Sequence, residues 1–189
     1  MSTTEQSVDD NADGSQRQAL RYRAMNGYIH SKECTGERAT LARINPALPL
    51  SPRQIAALAR ALLMIGLEPA NWRPETWRKW ALIVSGVALA GHDEQESLGK
   101  QLAEAGVSES RVTKLLTARG DAFKQLIPRM IRLMANKGVS PNWNDLGAII
   151  RKGDSDSPAD IEYAEKIRLR IASDYFSELT KKHTSRFAS

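Results

Sequence analysis

The chain has 189 residues, of which 41% are apolar, with one cysteine and a formal net charge of +5. This length and apolar content suffice for a folded core, and the single Cys34 excludes an intramolecular disulfide and a cysteine-rich zinc motif. All 27 basic residues but only 18 of the 22 acidic residues follow residue 16, so residues 17–189 carry a net charge of +9. An excess of positive charge of this size favours a polyanionic partner, most often nucleic acid.

No targeting or membrane-spanning segment is indicated. The N-terminus lacks the basic and apolar regions of a signal peptide. The longest apolar run, residues 80–90, is interrupted by Ser85 and Gly86 and is about half the ~20 residues that a membrane span needs. Together with the lone cysteine, these features predict a cytoplasmic protein without membrane association.

The first 16 residues differ in composition from the rest of the chain. They contain four acidic residues, no lysine or arginine and few large apolar groups. Such a segment cannot offset its ordering entropy by burial, so we expect a disordered acidic tail. The remainder shows helical periodicity and no alternating strand pattern, which predicts an all-α fold.

Helix starts are marked by capping residues. Ser51-Pro52 begins a helix to about residue 65, and Arg73-Pro74-Glu75 begins one that runs to Gly91. Pro128 is expected to kink or restart a later helix. Residues 92–96 form a charged connector, and further helices are predicted over residues 97–105, 108–118, 121–136, 142–149 and, as the longest, about 24 residues from Pro158.

The simplest packing of these helices is two small bundles that meet near residues 92–107. We therefore predict an N-terminal bundle over residues 17–95, a C-terminal bundle over residues 96–182 and a short tail over residues 183–189. The four tryptophans fall mostly on the apolar period and are predicted to be core residues rather than platforms for stacked bases.

Residue patterns for catalysis, cofactors and metals are missing or incomplete. Gly91 and Gly99-Lys100 are too far apart for a phosphate-binding loop. The aspartates of residues 154–160 resemble a calcium loop, but Ala159 occupies the position that needs glycine. His30 and Cys34 lie four residues apart without a third ligand. The sequence predicts no enzyme, no cofactor and no metal site.

Basic residues on several helices are the remaining signal. Arg129 and Arg132 are one turn apart, as are Lys166 and Arg170, while Arg38 and Arg43 flank an apolar residue. Arg78 lies between two tryptophans. Such residues would contact phosphates as a diffuse set, although each could equally belong to the hydrated face of an amphipathic helix.

One local pattern is that of a helix-turn-helix. Residues 102–116 read as a helix, a turn with Gly106 and a second helix capped by Ser108, which offers Ser110, Arg111 and Lys114 outward. This pattern keeps open an alternative function, that of a DNA-binding transcriptional repressor.

The order of segments along the chain resembles the CasB family, the small subunit of the type I-E CRISPR surveillance complex, Cascade. The resemblance covers about residues 30–180. It is carried by residues 36–43 (GERATLAR), 80–84 (WALIV), 88–91 (ALAG), 97–102 (SLGKQL), 110–118 (SRVTKLLTA), 126–133 (LIPRMIRL), 142–146 (NWNDL) and 172–176 (ASDYF).

The resemblance implies a non-catalytic all-α protein that forms a head-to-tail dimer within Cascade. Its partners would be the backbone and large subunits, the CRISPR RNA, and the target and non-target DNA strands, which a basic surface helps to hold as the R-loop forms. By position, Arg43, Arg129 and Lys166 match basic sites of the family, and Arg38, Arg78, Arg119 and Arg170 match less closely. The acidic tail and the loop at 153–160 are longer than is typical, and Asn142 replaces a frequent aspartate.

Overall fold

The computed structural model describes residues 3–46 and 48–187, and the elements in these two ranges are all helical. This confirms the predicted all-α fold. Two short 3-10 helices, Lys32–Cys34 and Pro69–Asn71, occur between the longer elements. The α-helices are α1 (Thr3–Ile29), α2 (Thr35–Ala42), α3 (Pro52–Met64), α4 (Pro74–Ala90), α5 (Leu98–Glu104), α6 (Glu109–Thr117), α7 (Gly120–Asn136), α8 (Trp143–Lys152) and α9 (Pro158–Phe187).

The helix starts predicted at Ser51 and Asn142 are confirmed. Ser51 Oγ accepts a hydrogen bond from Gln54 N at 3.3 Å, and Gln54 Oε1 accepts one from Ser51 N at 3.0 Å. This reciprocal pair is a capping box. Asn142 Oδ1 accepts from Asn144 N at 3.0 Å at the start of α8. Short-range hydrogen bonds thus fix both helix starts.

The segments predicted as tails lie at the ends of the first and last helices. Helix α1 begins at Thr3, within residues 1–16, and α9 ends at Phe187, within residues 183–189. Residues 1–2 and 188–189 lie outside the described residues. The assignment of both segments as tails stays a prediction.

Helix α7 passes through Pro128 without a restart. Its hydrogen-bonded range is continuous from Gly120 to Asn136. The proline removes one backbone donor, but Ile127, Met130 and Ile131 on either side are buried. Burial of this apolar face holds together a helix that the proline alone would weaken.

The core is built around α4. Residues 80–88 of this helix are all buried, and α4 packs against α1, α2, α7 and α8. A Cβ at Gly86 would lie 2.3 Å from the Trp143 ring, so glycine lets this indole reach α4. Trp80 and Trp143 are buried, as predicted for core tryptophans, and Trp72 stacks on Trp80 with ring centroids 5.9 Å apart.

Helices α5 and α9 are in backbone contact. A Cβ at Gly99 would lie 2.4 Å from the carbonyl oxygen of Ile171. The core cluster contains buried residues from both the 17–95 and the 96–182 segments. The division into two bundles at residue 95 stays a prediction.

The segment that links α4 to α5 is tied to the start of α8. Trp143 Nε1 donates to Gly91 O at 2.8 Å, and Asn142 N donates to Gln101 Oε1 at 2.6 Å. Trp143 N donates to His92 Nδ1 at 3.2 Å. Burial lowers the pKa of His92 below its usual value, because the charged ring would lose solvation. These bonds fix how the start of α8 lies relative to α4 and α5.

Candidate nucleic-acid interface

A shallow groove follows the surface where α2, α4 and α7 meet. We call this the basic groove; its walls come from the end of α2 and the loop after it, from α4 and from α7. Its volume is only about 20 Å³, so it suits an extended ligand lying along the surface rather than a small molecule. The residues that line it are Ala42, Ile44, Pro46, Leu82, Ser85, Gly86, Leu89, Pro128, Ile131 and Arg132.

Helices α4 and α7 run in the same direction beside the groove. Near their N-termini, Lys124 Nζ lies 4.0 Å from Glu75 Oε1. Further along, a Cβ on Gly86 would contact Ile131 at 2.8 Å. The two helices therefore run parallel to each other, so charges on both can act on one ligand.

Four of the predicted interface residues belong to the elements that form this groove. Arg78 is one turn before Leu82 on the groove side of α4, by the 3.6-residue period. Arg43 lies between the lining residues Ala42 and Ile44, and Arg129 follows the lining residue Pro128. The fourth, Arg38, is exposed on α2 and its Nε donates to Ala88 O near the end of α4 at 3.2 Å.

The electrostatic character of the groove is positive. Arg43, Arg78, Arg129 and Arg132 are exposed, and their guanidinium groups have no hydrogen-bond or ion-pair partner among the described residues. None of the residues that line the groove is acidic. Arg132 lies one helical turn from Arg129 and lines the groove, so it belongs to the same group of arginines. An arginine without a carboxylate partner keeps its charge and donors available for a phosphate.

The other three predicted residues lie on a second surface, which we call the α9 side. Here each cation has a carboxylate partner within the chain. Arg119 Nη2 lies 2.7 Å from Glu165 Oε1, and Lys166 Nζ lies 2.9 Å from Glu162 Oε1. Arg170 donates to Asp145, whose other carboxylate oxygen accepts from Leu98 N at 3.1 Å. The α9 side therefore uses its cations in intramolecular contacts.

The helix-turn-helix pattern corresponds to α5 and α6. These two helices do follow one another across Gly106, whose φ is +68°. Helix α5, however, is mostly buried and packs closely against α9. Ser110, Arg111 and Lys114 of α6 are exposed. The first helix of the pattern is thus a core element of this fold.

The residues considered as metal ligands make other contacts. His30 Nε2 lies 2.9 Å from Val87 O, and Cys34 Sγ donates to Glu37 at 3.6 Å. Asp160 pairs with Lys152 at 2.9 Å. Over residues 3–46 and 48–187, no group of three potential ligands is close enough to hold a metal ion. Nor, in the same ranges, is any helix long and apolar enough to cross a membrane.

The all-α fold and the groove, whose arginines are unpaired among the described residues, place this chain in the class of small helical proteins with a basic surface. A family model described as CRISPR-associated protein Cse2 matches residues 37–176, which is most of the chain. The chain therefore belongs to this family, that of the small, non-catalytic subunit of the type I-E CRISPR complex Cascade. Neither curated proteins nor solved structures gave a significant match.

Proposed function

We propose that this Cascade subunit uses the basic groove to hold DNA strands while the R-loop forms in guide-directed antiviral interference. One observation carries the proposal: Arg132 lines the groove, Arg43, Arg78 and Arg129 lie on the elements that form it, and all four are exposed without carboxylate partners among the described residues. A displaced DNA strand is flexible and highly charged, and guanidinium groups along its path release counterions and lower its free energy.

Contacts of this kind do not select a sequence. Phosphate contacts position a strand, whereas base contacts specify it. In an RNA-guided complex the pairing of guide and target reads the sequence, so a sequence-independent clamp stabilises the open duplex without opposing that choice. The shallow groove, which has no deep pocket for a base, suits this role.

The α9 side has a secondary part in the proposal. Exposed ion pairs contribute only about 0–1 kcal/mol, so Lys166 and Arg119 can exchange a carboxylate for a phosphate at small cost. Arg170 is less available because its partner Asp145 is buried. The order of contribution to DNA binding is therefore the groove arginines first, Lys166 and Arg119 next, and Arg170 last.

Two copies arranged head to tail would extend the positive surface. A head-to-tail contact joins two different patches, so a second copy repeats the groove along the complex rather than facing it. Beside the backbone subunits with their CRISPR RNA and the large subunit, such a dimer would offer the target and non-target strands a longer run of cations.

The test compares two variants of equal charge in assembled Cascade. Arg43 and Arg129, both beside the groove, are changed to alanine in one, and Arg111 and Lys114 of α6 in the other. R-loop lifetime at physiological salt should fall at least tenfold in the groove variant and stay within twofold of wild type in the α6 variant. Equal lifetimes in wild type and groove variant would overturn the proposal, and a loss confined to the α6 variant would favour the helix-turn-helix alternative.

A further inference from the structure

A second cavity lies between α1, α8 and α9, none of which lines the basic groove. Its volume is about 300 Å³, at the lower end of the range for small-molecule sites. Its functional groups come from all three helices: Gln18 and Arg21 from α1, Asn144, Arg151 and Lys152 from α8, and Tyr163 from α9. Gly14 is also in the wall, and nothing lies within 4 Å of where its Cβ would be.

The cavity is positively charged. Arg21, Arg151 and Lys152 line it, and none of the described residues in its wall is acidic. Arg21 has no ion-pair partner among the residues that the structure describes. Lys152 pairs with Asp160 at 2.9 Å, and Asp160 is not one of the residues that line the cavity. The local excess of charge within the wall favours an anionic ligand.

Two of the cations are held by aromatic rings. The guanidinium carbon of Arg151 lies 6.0 Å from the centre of the Trp80 ring, and its Nε donates to Tyr22 Oη at 3.3 Å. Lys152 Nζ lies 4.5 Å from the centre of the Tyr163 ring. Such contacts fix the direction of a long side chain without neutralising its charge. A preformed cationic wall loses less side-chain entropy when a ligand binds.

Tyr22 does not compensate the charge of Arg151. Its hydroxyl can lie against α8 because residue 147 is glycine, where a Cβ would be 2.0 Å from that oxygen. Burial raises the pKa of Tyr22 despite the opposing effect of Arg151. The hydroxyl is therefore neutral near pH 7, and Arg151 keeps a full positive charge beside the cavity.

One amide side chain in the wall is incompletely hydrogen-bonded. Asn144 Oδ1 is buried without a partner among the described residues, whereas its Nδ2 donates to Glu94 at 3.4 Å. A buried polar atom of this kind is costly unless something binds it. The second amide, Gln18, is only 8% exposed and makes a side-chain hydrogen bond with Tyr22. The unpaired acceptor of Asn144 matches a donor on the edge of a nucleobase.

We propose that this cavity binds a nucleoside monophosphate group, with the phosphate at Arg21, Arg151 and Lys152 and the base near Tyr163, Gln18 and Asn144. The same chemistry could come from a free nucleotide or from the 5′-phosphorylated end of a nucleic-acid strand. The site is separate from the basic groove in both its residues and its helices.

The experiment uses the full chain and isothermal titration with four probes: inorganic phosphate, adenosine 5′-monophosphate, uridine 5′-monophosphate and a short single strand with or without a 5′-phosphate. We expect saturable one-to-one binding of a mononucleotide, or of the strand only when it carries the 5′-phosphate. The first result identifies a free nucleotide as the source, and the second identifies a strand end.

Two variants test the residues. Arg21→Ala should weaken binding about tenfold or more, because it removes a hydrogen bond to a charged group, and it breaks no ion pair of the described fold. Lys152→Ala is the second variant and should act in the same direction. The matched control is Arg43→Ala in the basic groove, which should leave mononucleotide binding unchanged while weakening the hold on DNA.

Two outcomes would overturn the assignment. One is that no nucleotide or phosphorylated strand binds saturably to a folded chain. The other is that Arg21→Ala and Arg43→Ala weaken binding equally, which would indicate general attraction to the positive surface. Neither outcome concerns R-loop lifetime, so the proposed function of the basic groove would be judged separately.

Discussion

The basic groove and the α9 side contain the same type of residue in different circumstances. In the groove, Arg43, Arg78 and Arg129 lack a carboxylate partner among the described residues. On the α9 side, Arg119, Lys166 and Arg170 each have one. A carboxylate partner, rather than exposure, therefore decides whether a cation of these two regions is available to a phosphate.

The largest expected effect concerns DNA binding by the groove. Changing Arg43, Arg78 and Arg129 to alanine together should weaken single-stranded DNA binding roughly 100-fold, at about 1 kcal/mol for each contact. The slope of log affinity against log salt should fall by about 2, because three phosphate contacts are lost. Fluorescence anisotropy across a salt series measures both quantities.

The matched control is the same change at Arg119, Lys166 and Arg170. This variant has an equal charge difference but removes cations that are already paired. Its loss of affinity should be several times smaller, with a smaller change of salt slope. Equal losses in the two variants would mean that total charge, and not the groove, determines DNA binding.

The second-largest expected effect concerns stability. It should be greater for a variant of the α9 side than for a variant of the groove. Arg170→Ala leaves the buried carboxylate of Asp145 with one charged donor fewer, which should cost about 1–2 kcal/mol. Arg129→Ala removes no contact within the described residues and should change stability by less than about 0.5 kcal/mol. Thermal unfolding should show a melting temperature lower by a few degrees for Arg170→Ala alone. A larger loss for Arg129→Ala would contradict the distinction between the two regions.

The third expected effect is a loss of stability at acidic pH, which should involve both the groove and the α9 side. His92 joins the end of α4, which carries the groove, to the start of α8, which carries Asp145. Its folded pKa is lowered by burial, so its contribution is complete above the unfolded pKa of about 6.5 and is lost as the pH falls below that value. Stability should therefore fall as the pH is lowered from about 6.5.

Urea unfolding at a series of pH values measures this loss. His92→Gln keeps an acceptor for Trp143 N but has no titrating group, so its stability should change less over the same interval. If wild type and variant lose stability in parallel, another group is responsible for the acid sensitivity.

The smallest expected effect is a gain in DNA affinity when a cation of the α9 side loses its carboxylate partner, as the groove arginines lack one among the described residues. Glu162→Gln removes the partner of Lys166, which lies one turn further along α9. Single-stranded DNA affinity should rise about twofold at low salt, because one more cation becomes available. The control is Glu68→Gln, which has the same change of charge at a residue that pairs with no described cation of either surface. A rise of equal size in the control would show that only net charge matters.

Local signals allowed much of the fold to be predicted from the sequence. The caps at Ser51 and Asn142 and the apolar period around Trp80 depend on neighbours within a few residues, and the structure confirms them. Continuity of α7 through Pro128 depends on burial by other elements.

The types of residue at the candidate site could be predicted from the sequence, but most of their pairings in the fold could not. Glu162 and Lys166 have the spacing of a helical ion pair, so their pairing could have been inferred from the sequence. The pairs Arg170 with Asp145 and Arg119 with Glu165 join residues far apart in the chain and depend on packing. The cavity between α1, α8 and α9 gave no local signal, because its cations come from α1 and α8, which are far apart in the chain.

The parallel arrangement of α4 and α7 also sets a footprint. From Arg78 to Leu89 the groove side of α4 extends over 11 residues of helix, or about 16 Å at ~1.5 Å for each residue. At the B-form rise of about 3.4 Å per nucleotide, one chain would shield about five nucleotides of a strand. Two chains in a head-to-tail dimer would shield about ten, so the length of the protected segment counts the subunits along the DNA.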